Sequence, residues 1–347
     1  MFGATLLSVY WTYGMSWTQA GWLEPFTNPV VAWDCFQFAA GLMSIFLAHE
    51  MGHYLVARRH GMDQTLPLFI PFPLAFGTLG AIIRLKSLPP NRSALLEMGA
   101  AGPLAGFVVA LLVMAIGLPQ TVEQVAPQLR VMWPPPPPSD FVLAIEPAFA
   151  VLDQILGVFW TPEPPPTIPT IPLGIMANPP VMSLMGAAIL GEAPSRYAEL
   201  SPLGLASWAG CFLTAMNMLP IGQLDGGHVT NALAPRYAKR LSLMVLGTVM
   251  VVGLFTWPGW TFWGVVLMAL GAFRSLPVHS RPPLTTRAKL VAASAGVAFV
   301  ACFMPVPLEV EEIPIDQIEL QDLDGRAISM DEYRAWQAEI EAGKADE

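Results

Sequence analysis

Apolar residues in this chain run in blocks about as long as a bilayer crossing, divided by short polar or Pro/Gly-rich breaks. A helix needs about 20 such residues to cross the hydrocarbon core of a membrane. Blocks of that kind lie at Met1–Gly21, Asp34–Ala57, Ala94–Gly117, Pro202–Met218, Leu241–Trp257, Trp260–Leu276 and Ala288–Met304. The pattern predicts an all-α polytopic membrane protein with six or seven transmembrane helices, the first being the weakest. Leu66–Lys86 is also apolar but is interrupted by Pro67, Pro71, Pro73, Gly77 and Gly80. Bare backbone cannot face lipid, so this stretch predicts a re-entrant, β-hairpin-like segment buried by other helices.

Composition supports the membrane reading. The chain is 54% hydrophobic and 12% charged, against about 25% charged in soluble domains, and its mean hydropathy is +0.52. Such values exclude a globular enzyme with one anchor. The formal net charge of −9 owes much to the acidic stretch after Pro305. Lys and Arg total 17 and fall in short groups beside the apolar blocks, which leaves no patch suited to nucleic acid. Cys35, Cys211 and Cys302 lie in apolar blocks without a CxxC pair and read as small buried hydrophobes.

The basic groups set the expected orientation. Arg58, Arg59, Arg84, Lys86 and Arg92 separate the second and third blocks. Arg236, Lys239 and Arg240 precede the fifth, and Arg274, Arg281, Arg287 and Lys289 separate the sixth and seventh. The long Leu118–Leu200 segment holds only Arg130 and Arg196. The positive-inside rule puts the first three groups in the cytoplasm, with the long segment and the C-terminal tail outside. Met1–Gly21 lacks a basic n-region and reads as a spanning helix, not a cleaved signal. Without a transit-like leader, a bacterial inner membrane is the expected location.

Five parts follow: an N-terminal helix and connection (1–33), a membrane core (34–117), a Pro-rich extracytoplasmic insert (118–201), further membrane core (202–304) and an acidic tail (305–347). In the insert, Pro134–Pro138, Pro164–Pro166 and Pro179-Pro180 favour stiff polyproline II over packed structure. Ala144–Phe159 could lie on the membrane as a short helix. In the tail, Met330, Tyr333, Trp336 and Ile340 recur at helical spacing, on what reads as a solvated appendage more than a docking helix.

Inside the second block stands His49-Glu50-Met51-Gly52-His53. On a helix this puts two imidazoles on one face with a carboxylate beside them, the ligands and general base of metal-assisted peptide hydrolysis. Ionisable groups at membrane depth are costly, and their presence points to function. A catalytic zinc takes a third protein ligand. Candidates near the ends of blocks are Asp225, His228, Glu24, Asp34 and Glu97, whereas His60 and His279 fall among basic residues.

Asn217-x-x-Pro220-x-x-x-Leu224-Asp225-Gly226-Gly227 lies far downstream of His49-Glu50-x-x-His53. Together with Gly77–Ile83 and Pro90–Gly106 between them, this order resembles the site-2 protease family of intramembrane zinc metalloproteases. The likeness is to the branch without a PDZ domain, which includes chloroplast and bacterial members. It implies one zinc per chain on His49, His53 and Asp225, with Glu50 activating water. It also implies that Asn217 holds the substrate, and that the edge of the hairpin containing Gly77 and Gly80 pairs with an unwound substrate strand.

The implied activity is endopeptidase cleavage within transmembrane segments of other proteins, as in release of a membrane-tethered regulator or clearance of remnant signal peptides. The implied partners are a transmembrane protein substrate and membrane lipid, with no nucleic acid. The residues fit the chemistry: Pro220 and Gly222 would break the fourth block and return Asp225 toward the histidines, and two glycines suit a sharp turn at a helix start. A reading from a different class is a catalytically inert binding or chaperone protein of the same fold, against which an intact Glu50 argues. A transporter would call for half-helices in two repeats, and the chain shows no repeat. His228 is open between a contact to the site and an interfacial histidine, and Gly99–Gly106 reads as a surface for close helix packing.

Overall fold

The computed structural model describes residues 1–17, 23–73, 76–123, 128–131, 170–269, 277–278, 280, 282–314, 317–322, 326–335 and 338. They divide into two compact units, one of Met1–Glu123 with Met176–Glu309 and one of Gln124–Ile175 with Val310–Glu347.

The first unit is helical. It contains α1 (Phe2–Ser16), the single turn α2 (Glu24–Thr27), α3 (Pro29–Arg59), α4 (Arg92–Gly117), α5 (Pro180–Leu190), α6 (Pro202–Met218), α7 (Asp225–Leu233), α8 (Ala238–Phe255), α9 (Pro258–Ala269) and α10 (Thr286–Cys302). The 31-residue α3 is about 46 Å long at 1.5 Å per residue. It starts where the Asn28 side chain accepts a hydrogen bond from the Val30 N–H, with Pro29 at the first helical position. It ends at Arg58 and Arg59, cations that suit a helix C-terminus.

Among the described residues, three helices are long and apolar enough to cross a membrane: Pro29–Arg59, Arg92–Gln120 and Ala238–Phe255, with mean hydropathies of 1.6, 2.3 and 1.6. Among the described residues, four of the seven blocks expected to span form helices shorter than these three. α1, α6, α9 and α10 hold 15, 17, 12 and 17 residues. Proline accounts for several of these limits, since Pro202 and Pro258 open helices and Pro220 and Pro305 follow helix ends. α9 stops where the described residues stop.

α3, α4 and α6 enclose the core, in which Phe38, Leu42, Met114, Leu118 and Trp208 are buried. Close approach is possible because the contact positions are small. A Cβ on Gly117 would lie 2.3 Å from the backbone nitrogen of Gly204, so α4 and α6 touch backbone to backbone there.

The interrupted Leu66–Lys86 segment forms an antiparallel hairpin. β1 (Leu68–Pro71) pairs with β2 (Thr78–Ile82) in the register Leu68 with Ile82 and Phe69 with Ala81, and the register shifts before Pro71. Gly77 and Gly80 have φ of +82° and +89°, a conformation that only glycine adopts freely. Gly77 is also pressed on α1, where a Cβ would meet Val9 Cα at 2.4 Å. Phe2 packs edge-on against Phe69, so α1 covers part of the hairpin.

Two expectations need correction. The end of the Pro-rich segment is helical: α5 begins at Pro180, and Met182 is fully buried in the core. Proline at a first helical position needs no N–H, so the Pro179-Pro180 pair marks a helix start here. Trp208 Nε1 donates to the Ala177 carbonyl at 2.7 Å, which ties this stretch to α6. Pro134–Pro138, Ala144–Phe159 and Pro164–Pro166 lie outside the described residues.

The acidic tail also forms strands that its sequence pattern did not announce. In the second unit, β3 (Gln128–Val131) pairs in parallel with β6 (Glu319–Asp322), and β4 (Thr170–Met176) pairs with β5 (Leu308–Pro314). Ile313, Ile318, Leu320 and Ile328 are buried. The acidic residues between these apolar positions obscured a strand-forming pattern. Met330 and Tyr333 begin a helix, while Trp336 and Ile340 lie outside the described residues.

Gly117→Leu is expected to force α4 from α6 and lower stability by about 1–3 kcal/mol. Thermal unfolding in detergent checks this, and an unchanged midpoint would show that the crossing is looser than described.

Candidate metal centre

α3 presents His49 and His53 one turn apart, with ring centroids 4.9 Å from each other. Asp225 comes to them from α7. Its Oδ2 lies 3.2 Å from His49 Nε2 and its Oδ1 lies 3.3 Å from His53 Nε2. The two Nε2 atoms are 3.2 Å apart. His53 Nδ1 donates to the Met98 carbonyl at 2.8 Å, which leaves the Nε2 lone pair facing its neighbours.

Acceptor atoms so close repel one another unless a proton or a metal cation sits among them. A tetrahedral zinc with bonds of about 2.0–2.1 Å to nitrogen or oxygen separates its ligands by about 3.3 Å. His49, His53 and Asp225 offer one ligand atom each within 4.8 Å of one another, close enough to bind one metal ion, and form the cluster of that kind among the described residues. Two imidazoles and one carboxylate are also a donor set of catalytic zinc, which leaves a fourth position for water or substrate. Glu50 follows His49 on α3, within electrostatic range of His49, His53 and Asp225.

Asp225 arrives through a sharp reversal. α6 ends at Met218, and the next residues form a tight turn in which Gly222 has a φ of +27°. Gly222 N–H donates to Ser242 Oγ at 3.0 Å, and Ser242 Oγ donates to the Pro220 carbonyl at 3.1 Å, so α8 pins the turn. α7 then folds back so tightly that a Cβ on Gly226 would lie 2.0 Å from the Met218 carbonyl oxygen. One on Gly227 would lie 2.5 Å from the Gly222 carbonyl oxygen. The two glycines after Asp225 are therefore a steric requirement of this turn. At the far end of α7, Arg92 Nε and Nη2 donate to the carbonyls of Ala232 and Leu233 at 2.7 and 3.0 Å.

Asn217 lies in the last turn of α6, at the entrance to this reversal. Gly77 and Gly80 shape the hairpin as described above. Glu97 is not a ligand: its buried carboxylate lies 3.2 Å from His60 Nε2 and 3.3 Å from Arg287 Nε, tying together α4, the end of α3 and α10. His60 thus hydrogen-bonds with a buried carboxylate.

Four contributors escaped the sequence reading. Gly102 faces His53 so closely that a Cβ would lie 2.1 Å from Nε2, and Gly106 faces His49 in a looser contact of 3.2 Å to its Cβ. The small-residue run of α4 does serve packing, but much of what packs there is the two ligand side chains. Arg92 opens α4, where a cation opposes the helix dipole, and that misplacement was a legible sign of a specific partner. Ser242 was visible only as a polar residue in an apolar block.

Gly102→Ala is expected to push the His53 ring out of place and to lower zinc content well below one per chain while the protein remains folded. Metal analysis beside circular dichroism checks this, and full zinc content would show that the ring can shift without loss of the site.

Comparison with known proteins agrees with the geometry. The model of peptidase family M50 matches residues 37–259, more than half of the chain. A chloroplastic protein of Oryza sativa subsp. indica named "Probable zinc metalloprotease EGY2" is 28% identical over 308 residues, covering 87% of this chain and 47% of that protein. The Arabidopsis thaliana protein named "Probable zinc metalloprotease EGY1, chloroplastic" is 30% identical over 218 residues, 62% of this chain and 32% of that protein. The chain thus spans half or less of the length of these relatives. Their chloroplast designations give no support to the bacterial inner membrane expected above. No solved structure matches the chain. With the His49–His53 helix and Asp225 both inside the matched stretch, the chain belongs to peptidase family M50, the site-2 protease family.

Proposed function

We propose that the chain is a zinc-dependent endopeptidase that cleaves peptide bonds within or near transmembrane segments of other membrane proteins. The observation that carries this reading is the placement of two of the three donors, His49 and His53, on α3, a helix long and apolar enough to cross a membrane. A peptidase centre in that setting meets substrates that are themselves in the bilayer.

Zinc, when bound, lowers the pKa of its water toward about 7 and polarises a peptide carbonyl. Glu50 takes the proton of the attacking water and delivers it to the leaving amine nitrogen, so the C–N bond breaks without release of an amide anion. His49, His53 and Asp225 hold the metal. A transmembrane helix hides its carbonyls in internal hydrogen bonds, so the substrate must unwind first. The β1–β2 hairpin offers a strand edge for the freed backbone, with Gly77 and Gly80 fixing its course and Asn217 holding the substrate chain. His53 lies six residues before Arg59, about 9 Å along the helix. The centre is therefore proposed to lie close to the basic face of the bundle, the cytoplasmic face under the positive-inside rule.

The test compares wild type, Glu50→Gln and Asp225→Ala in lipid vesicles with a model transmembrane substrate. Glu50→Gln is expected to keep zinc and lose cleavage, and Asp225→Ala to lose most of the zinc. Cleavage by Glu50→Gln at the wild-type rate would remove Glu50 from the chemistry. Stoichiometric zinc in a wild type that cleaves no substrate would favour a binding protein that keeps the fold without turnover.

A further inference from the structure

The helix that supplies Asp225 carries another ionisable side chain that the chemistry above leaves unused. His228 follows Asp225 by three residues on α7, and residues so spaced share one face of a helix. Its Cβ is pressed against α4 beside the metal centre. A Cβ on Gly99 would meet His228 Cβ at 2.9 Å and the Asp225 backbone oxygen at 3.3 Å. The residue before Gly99 is Met98, whose carbonyl orients His53. His228 also lies within electrostatic range of both Asp225 and His53.

Its bonding is incomplete. Nδ1 of His228 is buried and has no hydrogen-bond partner. Burying a polar atom unpaired is costly, and an apolar side chain of similar size would fill the same space without that cost. Buried polar groups in folded proteins are nearly always paired, and the exceptions call for a reason. Beside a cluster of catalytic ligands the natural reason is a partner that arrives with the substrate. The group there that most needs a donor is the carbonyl oxygen of the peptide being cut, which gains negative charge as water attacks.

We propose that His228 is a further catalytic residue of the peptidase reaction, donating an imidazole N–H to the carbonyl oxygen of the scissile peptide; this rests on the function proposed above. Water oxygen bonds to the carbonyl carbon, and the carbonyl π pair moves onto oxygen beside the His228 N–H. Glu50 takes the water proton and passes it to the amine nitrogen as the C–N bond breaks. His228 neither gains nor loses a proton. Its donor strengthens as charge builds, so it acts on the rate more than on ground-state binding.

The experiment uses the full chain with His228→Phe, which keeps a planar ring but no donor, and His228→Gln, which keeps an N–H. Zinc content and thermal midpoint are expected to match wild type in both. His228→Phe is expected to lower kcat about 10²-fold with KM little changed, as for loss of an oxyanion donor. His228→Gln is expected to recover at least about tenfold of that loss, equivalent to one hydrogen bond. A structural role for the ring predicts instead that Phe is tolerated and Gln is not, and that result would overturn the proposal. Loss of zinc in step with loss of activity would also overturn it, by making His228 a support of the metal.

Binding of an apolar peptide hydroxamate gives a readout that needs no turnover. Weaker binding by His228→Phe at full zinc content supports the contact even if wild type proves inactive on the chosen substrates, whereas equal binding overturns it. A wild type without zinc would sink both the contact and the function on which it rests.

Discussion

Two imidazole nitrogens 3.2 Å apart, each 3.2–3.3 Å from one oxygen of the Asp225 carboxylate, are the constraint on which the rest of this structure depends. Such a group of acceptors sits together with a proton or a metal cation among them. The bundle must therefore hold the ligand side chains in position before a metal binds. It does so with backbone: the His53 ring is anchored on the Met98 carbonyl, and α4 has no side chain at Gly102 to displace it. α7 is fixed at one end by the Ser242-pinned turn and at the other by the Arg92 guanidinium. Each contact is common in kind, and their convergence on the ligand positions gives the geometry.

The polar groups outside the centre follow the same rule. Glu97 is a buried carboxylate on α4 and would be costly alone. It faces His60 just past the end of α3 and Arg287 in the first turn of α10. The pairing lies on the side of the bundle where the basic residues gather, so charge enters the interior only where a partner meets it. The apolar crossings of α3 and α4 with α6 need no such device and rely on glycine and alanine contacts.

Legibility in the sequence followed locality. His49, Glu50 and His53 were readable because one helical turn contains the whole pattern. The hairpin was readable because proline and glycine exclude a helix through Leu66–Lys86. Asp225 could be named only through its downstream motif, since its approach depends on a turn held by Ser242 and on glycines whose steric role appears only in three dimensions. The Gly99–Gly106 run shows the same limit: spacing revealed a packing face, but not that His49, His53 and His228 are what it packs against. Pro180 misled because proline suits both an extended chain and a first helical turn, and only burial of Met182 decides between them. In the tail, acidic residues masked the apolar positions that become strands.

The turn at Leu219–Leu224 explains why the third ligand stands at the start of a short helix. Had α6 continued, residue 225 would lie about 10 Å farther along its axis than Met218. Reversal instead lets α7 return across the Met218 carbonyl, which is possible only because Gly226 and Gly227 have no side chain. Placement at a helix N-terminus then favours the ligand itself: unpaired backbone N–H groups carry partial positive charge, which favours a carboxylate by about 0.3–1 kcal/mol. Arg92 complements the opposite pole, where the last carbonyls of α7 are negative. A nine-residue helix is thus oriented by its dipole, its caps and its glycines so that its one acidic residue meets the histidines of α3.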